Sequence, residues 1–216
     1  MQGLHIVDHP IAADALCRMR NVASSACEFR TALAALTRSL LHEAARHLPT
    51  RRVAVETPLE KTEGVEIDWE IVLVPILRAG LGMLDAVTAM LPGARVGFLG
   101  LRRNETTLQP EEYYRNLPIA PGATLVILDP MLATGGSLNE ALAAFAPAAA
   151  RTTIVLAAIA APEGVAAVLE RHPTTVIYTG ALDRCLDERG YIRPGLGDAG
   201  DRMWHSILSL APTSGH

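Results

Sequence analysis

The chain has 216 residues, of which 50% are hydrophobic, and this is enough to bury a full core in a single domain spanning residues 1–216. The formal net charge of -4 argues against a nucleic acid or an anionic membrane as a partner. The apolar runs are too short to span a membrane and no signal-peptide pattern opens the sequence, so we expect a cytoplasmic protein.

Residues 1–50 are predicted to form a helical arm that packs against the rest of the chain. Pro10 can begin a helical turn, and Ser24 or Ser25 can cap a longer helix that runs from about Cys27 to His47. The apolar residues of this longer helix recur on one face, at Phe29, Leu33, Leu36, Leu40 and Ala44. We therefore expect that face to be buried.

The next stretches alternate between strand and turn patterns. RRVAVETPL has the alternation of a strand, whereas EKTEGVEID around Gly64 indicates a polar turn. Residues 71–77, IVLVPIL, form a continuous apolar run that predicts a buried parallel strand, and a helical pattern follows. Arg78 lies between them, at the strand's carboxyl end, where open α/β sheets bind ligands. It is either an anion contact or a solvated loop arginine.

A further strand, ARVGFLGL, leads into a long polar stretch at residues 102–118. Polar insertions of this length in compact domains often act as mobile lids over a site. A solvated hairpin is the alternative interpretation.

Residues 124–137, TLVILDPMLATGGS, combine a strand, an acid, a small-residue loop and the start of a helix. Gly135 and Gly136 allow successive N–H groups to turn inward, and Thr134 and Ser137 add hydroxyls beside a helix N-terminus. This pattern suits a phosphate monoester. A Walker loop would have a lysine where Ser137 stands, so hydrolysis of a nucleoside triphosphate is disfavoured. The alternative is an ordinary strand-to-helix turn.

After this loop, RTTIVLAAIA and TTVIYTG predict two more strands, separated by the helical segment PEGVAAVLERH. Alternating strands and helices predict a parallel sheet covered on both faces. The C-terminal segment at residues 188–205 is rich in glycine, which disfavours helix and strand. Such a segment can present main-chain groups to a flat heterocycle, or it can be a flexible tail.

Three stretches resemble the uracil phosphoribosyltransferase family: VPILRAGLGM at 74–83, LDPMLATGGS at 128–137 and GYIRPGLGDAGDR at 190–202. The linking pieces HPIA, RNETTLQPEEYY and AAPEGV resemble the same family, so the resemblance extends over nearly the whole chain. It implies the α/β fold of type I phosphoribosyltransferases, with a mainly parallel sheet flanked by helices, a mobile loop and a C-terminal hood over the base at residues 180–205. It also implies phosphoribosyl pyrophosphate (PRPP), carrying Mg²⁺ on its pyrophosphate, as the donor to uracil.

The resemblance assigns candidate site residues by position. Catalytic roles fall to Arg78, Arg103 and Asp198, of which the two arginines would grip the pyrophosphate. Other PRPP contacts would come from Asp129, Pro130, Met131, Leu132, Ala133, Thr134, Gly135, Gly136 and Ser137, together with Asp198. Uracil contacts would come from Ile192, Gly197, Asp198 and Ala199, mostly through the main chain. No protein ligand is assigned to Mg²⁺.

Several features of the sequence lie outside this pattern or leave it open. Arg193 and Arg102 stand where the family commonly has other residue types, and the tail HSILSLAPTSGH extends past the usual ending. The family implies a homodimer or homotetramer, and GTP is a candidate activator. Pro130 is typical of the uracil branch. Two alternatives remain: a non-catalytic pyrimidine sensor that binds RNA, and a phosphoribosyltransferase for another base.

Overall fold

The computed structural model describes residues 2–103, 110–145 and 150–204. The helices are α1 (Pro10–Arg20), α2 (Ala26–Ala44), α3 (Leu81–Met90), α4 (Gly136–Phe145), α5 (Pro162–Arg171) and α6 (Ala199–Trp204), and Ala45–His47 adds a 3₁₀ turn after α2. The longer strands are β1 (Leu4–Ile6), β2 (Thr50–Glu56), β3 (Lys61–Ile67), β4 (Ile71–Leu77), β6 (Phe98–Arg103), β7 (Pro110–Asn116), β8 (Thr124–Leu128), β10 (Thr152–Ala157) and β12 (Val176–Thr179). The two-residue strands are β5 (Arg95–Val96), β9 (Met131–Leu132), β11 (Ile159–Ala160), β13 (Cys185–Leu186) and β14 (Ile192–Arg193).

Eight strands form the central sheet, in the order β1-β12-β10-β8-β4-β6-β7 with β5 beside β4. Every pairing in this sheet is parallel except that of β6 with β7, which is antiparallel. The prediction of a mainly parallel sheet is confirmed. The consequence for function is that the carboxyl ends of β4, β8, β10 and β12 lie along one edge.

The sheet is buried on both faces. In β4, Ile71 and Leu73 belong to the apolar cluster formed with α1, α2 and α3, whereas Val72 and Val74 belong to the cluster formed with α4 and α5. Successive side chains of a strand point to opposite faces, so a run without polar residues is what a sheet covered on both sides requires. None of the helices in the described part of the chain combines the length and apolarity needed to cross a bilayer.

The helix predicted from the N-terminal region is α2, and it begins as expected. The Ser25 hydroxyl accepts a hydrogen bond from the Glu28 N–H, and the Glu28 carboxylate accepts one from the Ser25 N–H, which completes a capping box. The predicted apolar face is buried against the sheet, because Phe29, Leu33 and Leu36 are fully inaccessible to solvent. The N-terminal region is therefore an integral part of the core.

Three local predictions were wrong. The stretch EKTEGVEID is the strand β3, which pairs antiparallel with β2 along its whole length, instead of a polar turn. The short segment Leu4–Ile6 is an edge strand that pairs with β12. The glycine-rich C-terminal segment contains the short strand β14 and the helix α6, so glycine did not exclude regular structure there.

The polar stretch at residues 102–118 contributes a strand to the sheet. The strand β7 pairs antiparallel with the end of β6, and Arg102 lies opposite Glu111. The two described arms of this stretch therefore pair as the alternative interpretation, a hairpin, predicts. Residues 104–109, on which the mobile-loop prediction mainly falls, lie outside the described residues.

Candidate active site

The site is built at the carboxyl edge of the central sheet. Arg78 directly follows β4, and Asp129 directly follows β8, its neighbour in the sheet. The peptide bond between Leu77 and Arg78 is cis. Because β4 and β8 are parallel and in register, the loops after them start side by side. Two stretches that are 50 residues apart in the sequence thus meet at one edge.

A cleft of about 630 Å³ opens at this edge. Its lining comprises Arg78, Ala79, Leu101, Arg102, Tyr113, Met131, Asp198 and Gly200. Three of the residues predicted from the sequence, Arg78, Met131 and Asp198, therefore share one cavity although they come from three separate segments. The cleft thus combines a cation, Arg78, a carboxylate, Asp198, and the aromatic side chain of Tyr113 from β7.

The loop of residues 129–137 is held in place by contacts with the next strand and helix in the chain, β11 and α5. Its first part, β9, pairs with β11 in a small parallel sheet, and the Pro130 carbonyl accepts hydrogen bonds from the N–H groups of Ala158 and Ile159 at 3.0 and 3.2 Å. Helix α5 approaches the loop so closely that a Cβ on Gly164 would lie 2.2 Å from the Ala133 carbonyl oxygen. The loop conformation thus depends on a glycine outside the loop.

The glycines of the loop have the conformational role expected of them. Gly135 has a φ of 78°, in the left-handed region, and Gly136 begins α4. The first N–H groups of a helix have no partner within the helix, and the helix dipole adds partial positive charge at this end. Thr134 and Gly136 line a separate depression of about 250 Å³, which adjoins α5. The lining of this depression also includes Glu140, Glu170 and Arg171, so its charge is mixed.

Asp129 has a perturbed acid–base equilibrium. Burial raises the pKa of its carboxyl from 3.8 to about 7, because the charged form loses hydration, and the N–H of Met131 opposes this only weakly by donating to Oδ1 at 3.5 Å. Hydrogen bonds donated by a ligand hydroxyl would favour the carboxylate and lower this pKa. The side chain is thus suited to bind a hydroxyl-bearing ligand near neutral pH.

The predicted uracil-binding residues belong to one compact segment, the hood, which we define as residues 180–204. Ile192 and Ala199 are buried, whereas Gly197 is exposed with a φ of 81°. Asp198 is half-buried and its Oδ1 accepts a hydrogen bond from the Asp201 N–H at 2.9 Å, at the start of α6. Asp198 is the hood residue that also lines the main cleft.

Of the other predicted residues, several are buried and some lie outside what is described. Pro130, Leu132 and Gly135 are buried, and Ser137 lies in the first turn of α4. The side chain of Arg103 lies outside the described residues, as does the C-terminal tail, residues 205–216.

The two unusual arginines are both paired with acids. Arg193 points away from the hood interior and donates through Nε to Asp187 at 2.8 Å, so its charge is matched on the hairpin of β13 and β14. Arg102 donates through Nε to Glu111 at 3.0 Å and lines the cleft. Neither Arg102 nor Tyr113 was predicted from the sequence to lie in the site. The available signal for Arg102 was its position next to Arg103. The signal for Tyr113 was that it belongs to the resembling piece RNETTLQPEEYY.

Comparison with known proteins connects this geometry to a family. The sequence profile described as uracil phosphoribosyltransferase matches residues 6–206. A uracil phosphoribosyltransferase of Thermosipho africanus is 46% identical over 205 residues, which cover 94% of this chain and 99% of that protein.

Solved structures support the same assignment. A protein from Aquifex aeolicus is 38% identical and superposes with a TM-score of 0.90 over 95% of this chain and 99% of its own. An adenine phosphoribosyltransferase of Leishmania donovani shares the fold, with a TM-score of 0.56 at 14% identity over 88% of each chain. The expected type I phosphoribosyltransferase fold is confirmed, and the chain belongs to the uracil phosphoribosyltransferase family.

Proposed function

We propose that this chain transfers the phosphoribosyl group of PRPP to N1 of uracil, giving UMP and pyrophosphate in pyrimidine salvage. The observation that carries the proposal is the cleft in which Arg78, from the end of β4, faces Asp198, from the hood. A pyrophosphate needs a cation at one end of such a cleft, and a base needs a polar main-chain surface at the other. Both are present in one cavity.

Each part of PRPP has a matching part of the site. Arg78, with Arg103, binds the pyrophosphate, and Asp129 accepts hydrogen bonds from the ribose hydroxyls. The loop of residues 133–137 binds the 5′-phosphate at the N-terminus of α4, where the unpaired N–H groups and the helix dipole favour an anion. Uracil lies against the main chain of Ile192, Gly197, Asp198 and Ala199.

Positioning and charge stabilisation account for the rate. The N1–C1′ bond forms as the bond from C1′ to the pyrophosphate oxygen breaks, and the N1 proton of uracil passes to the leaving pyrophosphate or to water. The transition state resembles an oxocarbenium ion, as in glycoside hydrolysis, so the protein gains most by stabilising the leaving pyrophosphate and by aligning N1 with C1′. Arg78 lies at the cleft surface, exposed and available for this contact.

The site fits a Mg²⁺ ion that arrives with the donor. The carboxylate of Asp198 is the acid that lines the cleft, and among the described residues no cluster of three or more metal-ligating side chains was found. Mg²⁺ commonly keeps several waters and binds through one carboxylate plus substrate phosphates, which is what this site offers. When bound, the ion would neutralise charge on the leaving pyrophosphate.

A competition assay with radiolabelled PRPP and a panel of bases tests the reaction. We expect UMP as the product when uracil, cytosine, orotate, hypoxanthine and adenine are offered together. A nucleotide of another base as the main product would contradict the assignment of uracil. The absence of any nucleotide product, together with retention of RNA on the protein, would favour the alternative of an RNA-binding sensor.

The charge distribution counts against that sensor. RNA binding requires a clustered basic face, but the arginine pair on β2 is matched by acids on β3, with Arg51 beside Glu66 and Arg52 beside Glu63. Arg102 is likewise paired with Glu111. Little unpaired positive charge is left at these places for a polyanion.

We also propose that the protein is cytoplasmic, assembles as a homodimer or homotetramer, and responds to GTP as an activator. Exposed apolar side chains on β1, α1 and α3, namely Ile6, Ile11 and Met90, support an assembly. Light scattering coupled to size exclusion measures the mass, and activity with and without GTP measures the response. A monomer at assay concentration, or unchanged rates, would contradict the respective proposal.

A further inference from the structure

The C-terminal end of helix α1 meets the hood although the two segments are about 160 positions apart in the sequence. The guanidinium of Arg20 donates to both carboxylate oxygens of Asp183 and, through Nη1, to the Gly195 carbonyl at 2.8 Å. The same carboxylate accepts the N–H of Gly195 at 2.9 Å. Both polar main-chain groups of Gly195 are therefore bound to one ion pair.

This ion pair is shielded from water. The side chain of Asp183 is 4% exposed and that of Arg20 is 25% exposed. Charge-assisted hydrogen bonds in such surroundings are stronger and more directional than those at a surface, and the planar guanidinium fixes their geometry. Gly195 itself has a φ of 67°, and a Cβ at this position would lie 2.2 Å from the Ile192 carbonyl oxygen. The turn is thus tight and held on two sides.

A second guanidinium holds the next residue of the hood. Arg202, in α6, donates to the Leu196 carbonyl at 3.0 Å and to the Asn21 carbonyl at 2.7 Å, and it also donates to the Met19 carbonyl. Its guanidinium lies over the ring of Phe29, 4.7 Å from the centroid. Arg202 therefore makes a second connection between the hood and the end of α1.

Gly197 and Asp198 follow directly after the two residues that are fixed in this way. Gly197 is exposed, and Asp198 lines the cleft. The main chain that would meet the base is thus short and is held in place at its start. Small displacements of a positioning group cost large factors in rate or binding.

We propose that Arg20, Asp183 and Arg202 are positioning residues for base recognition, because together they set the main-chain conformation of residues 195–198 against the end of α1. This inference rests on the proposed function, in which the hood binds uracil. None of the three residues touches the substrate. They act through Gly195 and Leu196.

Steady-state kinetics of Arg20→Ala, Arg20→Lys and Asp183→Asn test the inference, with Arg18→Ala as the control. Arg18 lies on the same helix but is exposed and pairs with Asp14 at the surface. We expect Arg20→Ala and Asp183→Asn to raise the KM for uracil by about 10- to 100-fold and the KM for PRPP by a clearly smaller factor, because Asp198 is the one residue of this segment that is also assigned to PRPP. Arg20→Lys should recover only part of the loss, since an ammonium cannot reproduce the planar contacts.

The split between the two KM values separates positioning from general loss of structure. If both KM values rise in parallel, or if the uracil KM of folded Arg20→Ala equals that of Arg18→Ala, the inference is wrong. Where Arg20→Ala does not fold, Arg20→Lys and Arg202→Lys carry the test, and unchanged uracil KM values in both would overturn it.

A second measurement keeps this test apart from that of the reaction. Wild-type protein that forms no UMP would refute the proposed function alone. The hood contacts are then judged by amide hydrogen exchange over residues 192–204, which Arg20→Ala should accelerate and Arg18→Ala should leave unchanged. Equal exchange in the two variants would refute the positioning role.

Discussion

Replacement of Asp129 by asparagine should stabilise the protein above neutral pH while it weakens PRPP binding. The carboxyl lies in surroundings that disfavour its charge, and its pKa of about 7 measures this effect. Asparagine has a similar shape but never ionises, so the variant avoids the loss of hydration that the carboxylate suffers in the folded state. A ribose hydroxyl would lose its strongest acceptor in the same change.

The magnitude follows from the two pKa values. Since the folded pKa lies above the ordinary value of 3.8, the contribution of Asp129 to stability is fully present below about pH 4 and is lost as the pH rises through about 7. At about 1.4 kcal/mol per pH unit, and allowing for partial exposure of the side chain, we expect a loss of about 2–4 kcal/mol in the free energy of unfolding.

Urea unfolding at about pH 5 and about pH 8 measures this loss in the wild type and in Asp129→Asn, and Asp14→Asn is the control because Asp14 is exposed. The change in the free energy of unfolding between the two pH values should shrink by about 1–3 kcal/mol in Asp129→Asn, because part of the loss occurs below pH 5, and it should stay as in the wild type in Asp14→Asn. An equal pH dependence in all three proteins would refute the reasoning. Full activity of Asp129→Asn would show that the ribose does not need this acid.

Three further changes have definite expected outcomes. Arg78→Ala should lower kcat/KM for PRPP by about ten- to a thousandfold, which corresponds to ~1.5–4 kcal/mol of lost charge stabilisation. The control, Arg95→Ala on the surface, should have little effect. Wild-type turnover of Arg78→Ala at low PRPP would contradict the assigned role of Arg78. Gly164→Ala should destabilise the protein by about 1–3 kcal/mol in urea unfolding and raise the KM for PRPP, because the added methyl group collides with the Ala133 carbonyl. An unchanged KM would show that the loop tolerates the displacement of Ala133. Ser25→Ala should cost about 1 kcal/mol in thermal unfolding with no change in KM, and unchanged stability would mean that the capping box contributes nothing.

The sequence was sufficient for the parts of the fold that depend on local pattern. The strands β4 and β8 were predictable because an apolar run bounded by turn residues can be satisfied only in a sheet covered on both faces. The loop after β8 was predictable because Gly135 and Gly136 stand between a strand and a helix. Arg78 was correctly placed at the carboxyl end of its strand for the same reason.

Features that depend on distant partners were not predictable. The strand β3 opens with three consecutive polar residues followed by Gly64, so no alternation marks it as a strand. Its identity depends on pairing with β2, where Arg52 forms an ion pair with Glu63. The strand β1 has three residues and is defined only by β12 beside it. The contact of Arg20 with Asp183 leaves no trace in any local pattern, since the two residues are 163 positions apart.

The pairing of the first strand with the last strand of the sheet also sets the order of events during synthesis. The ribosome releases Leu4–Ile6 at the outset, yet their partner strand, Val176–Thr179, emerges only after most of the chain has been made. Asp183, which receives Arg20, follows later still. A nascent chain that stops before these residues has an open sheet edge and no hood, so under the proposed function the segment assigned to the base is completed only after most of the sheet has been made.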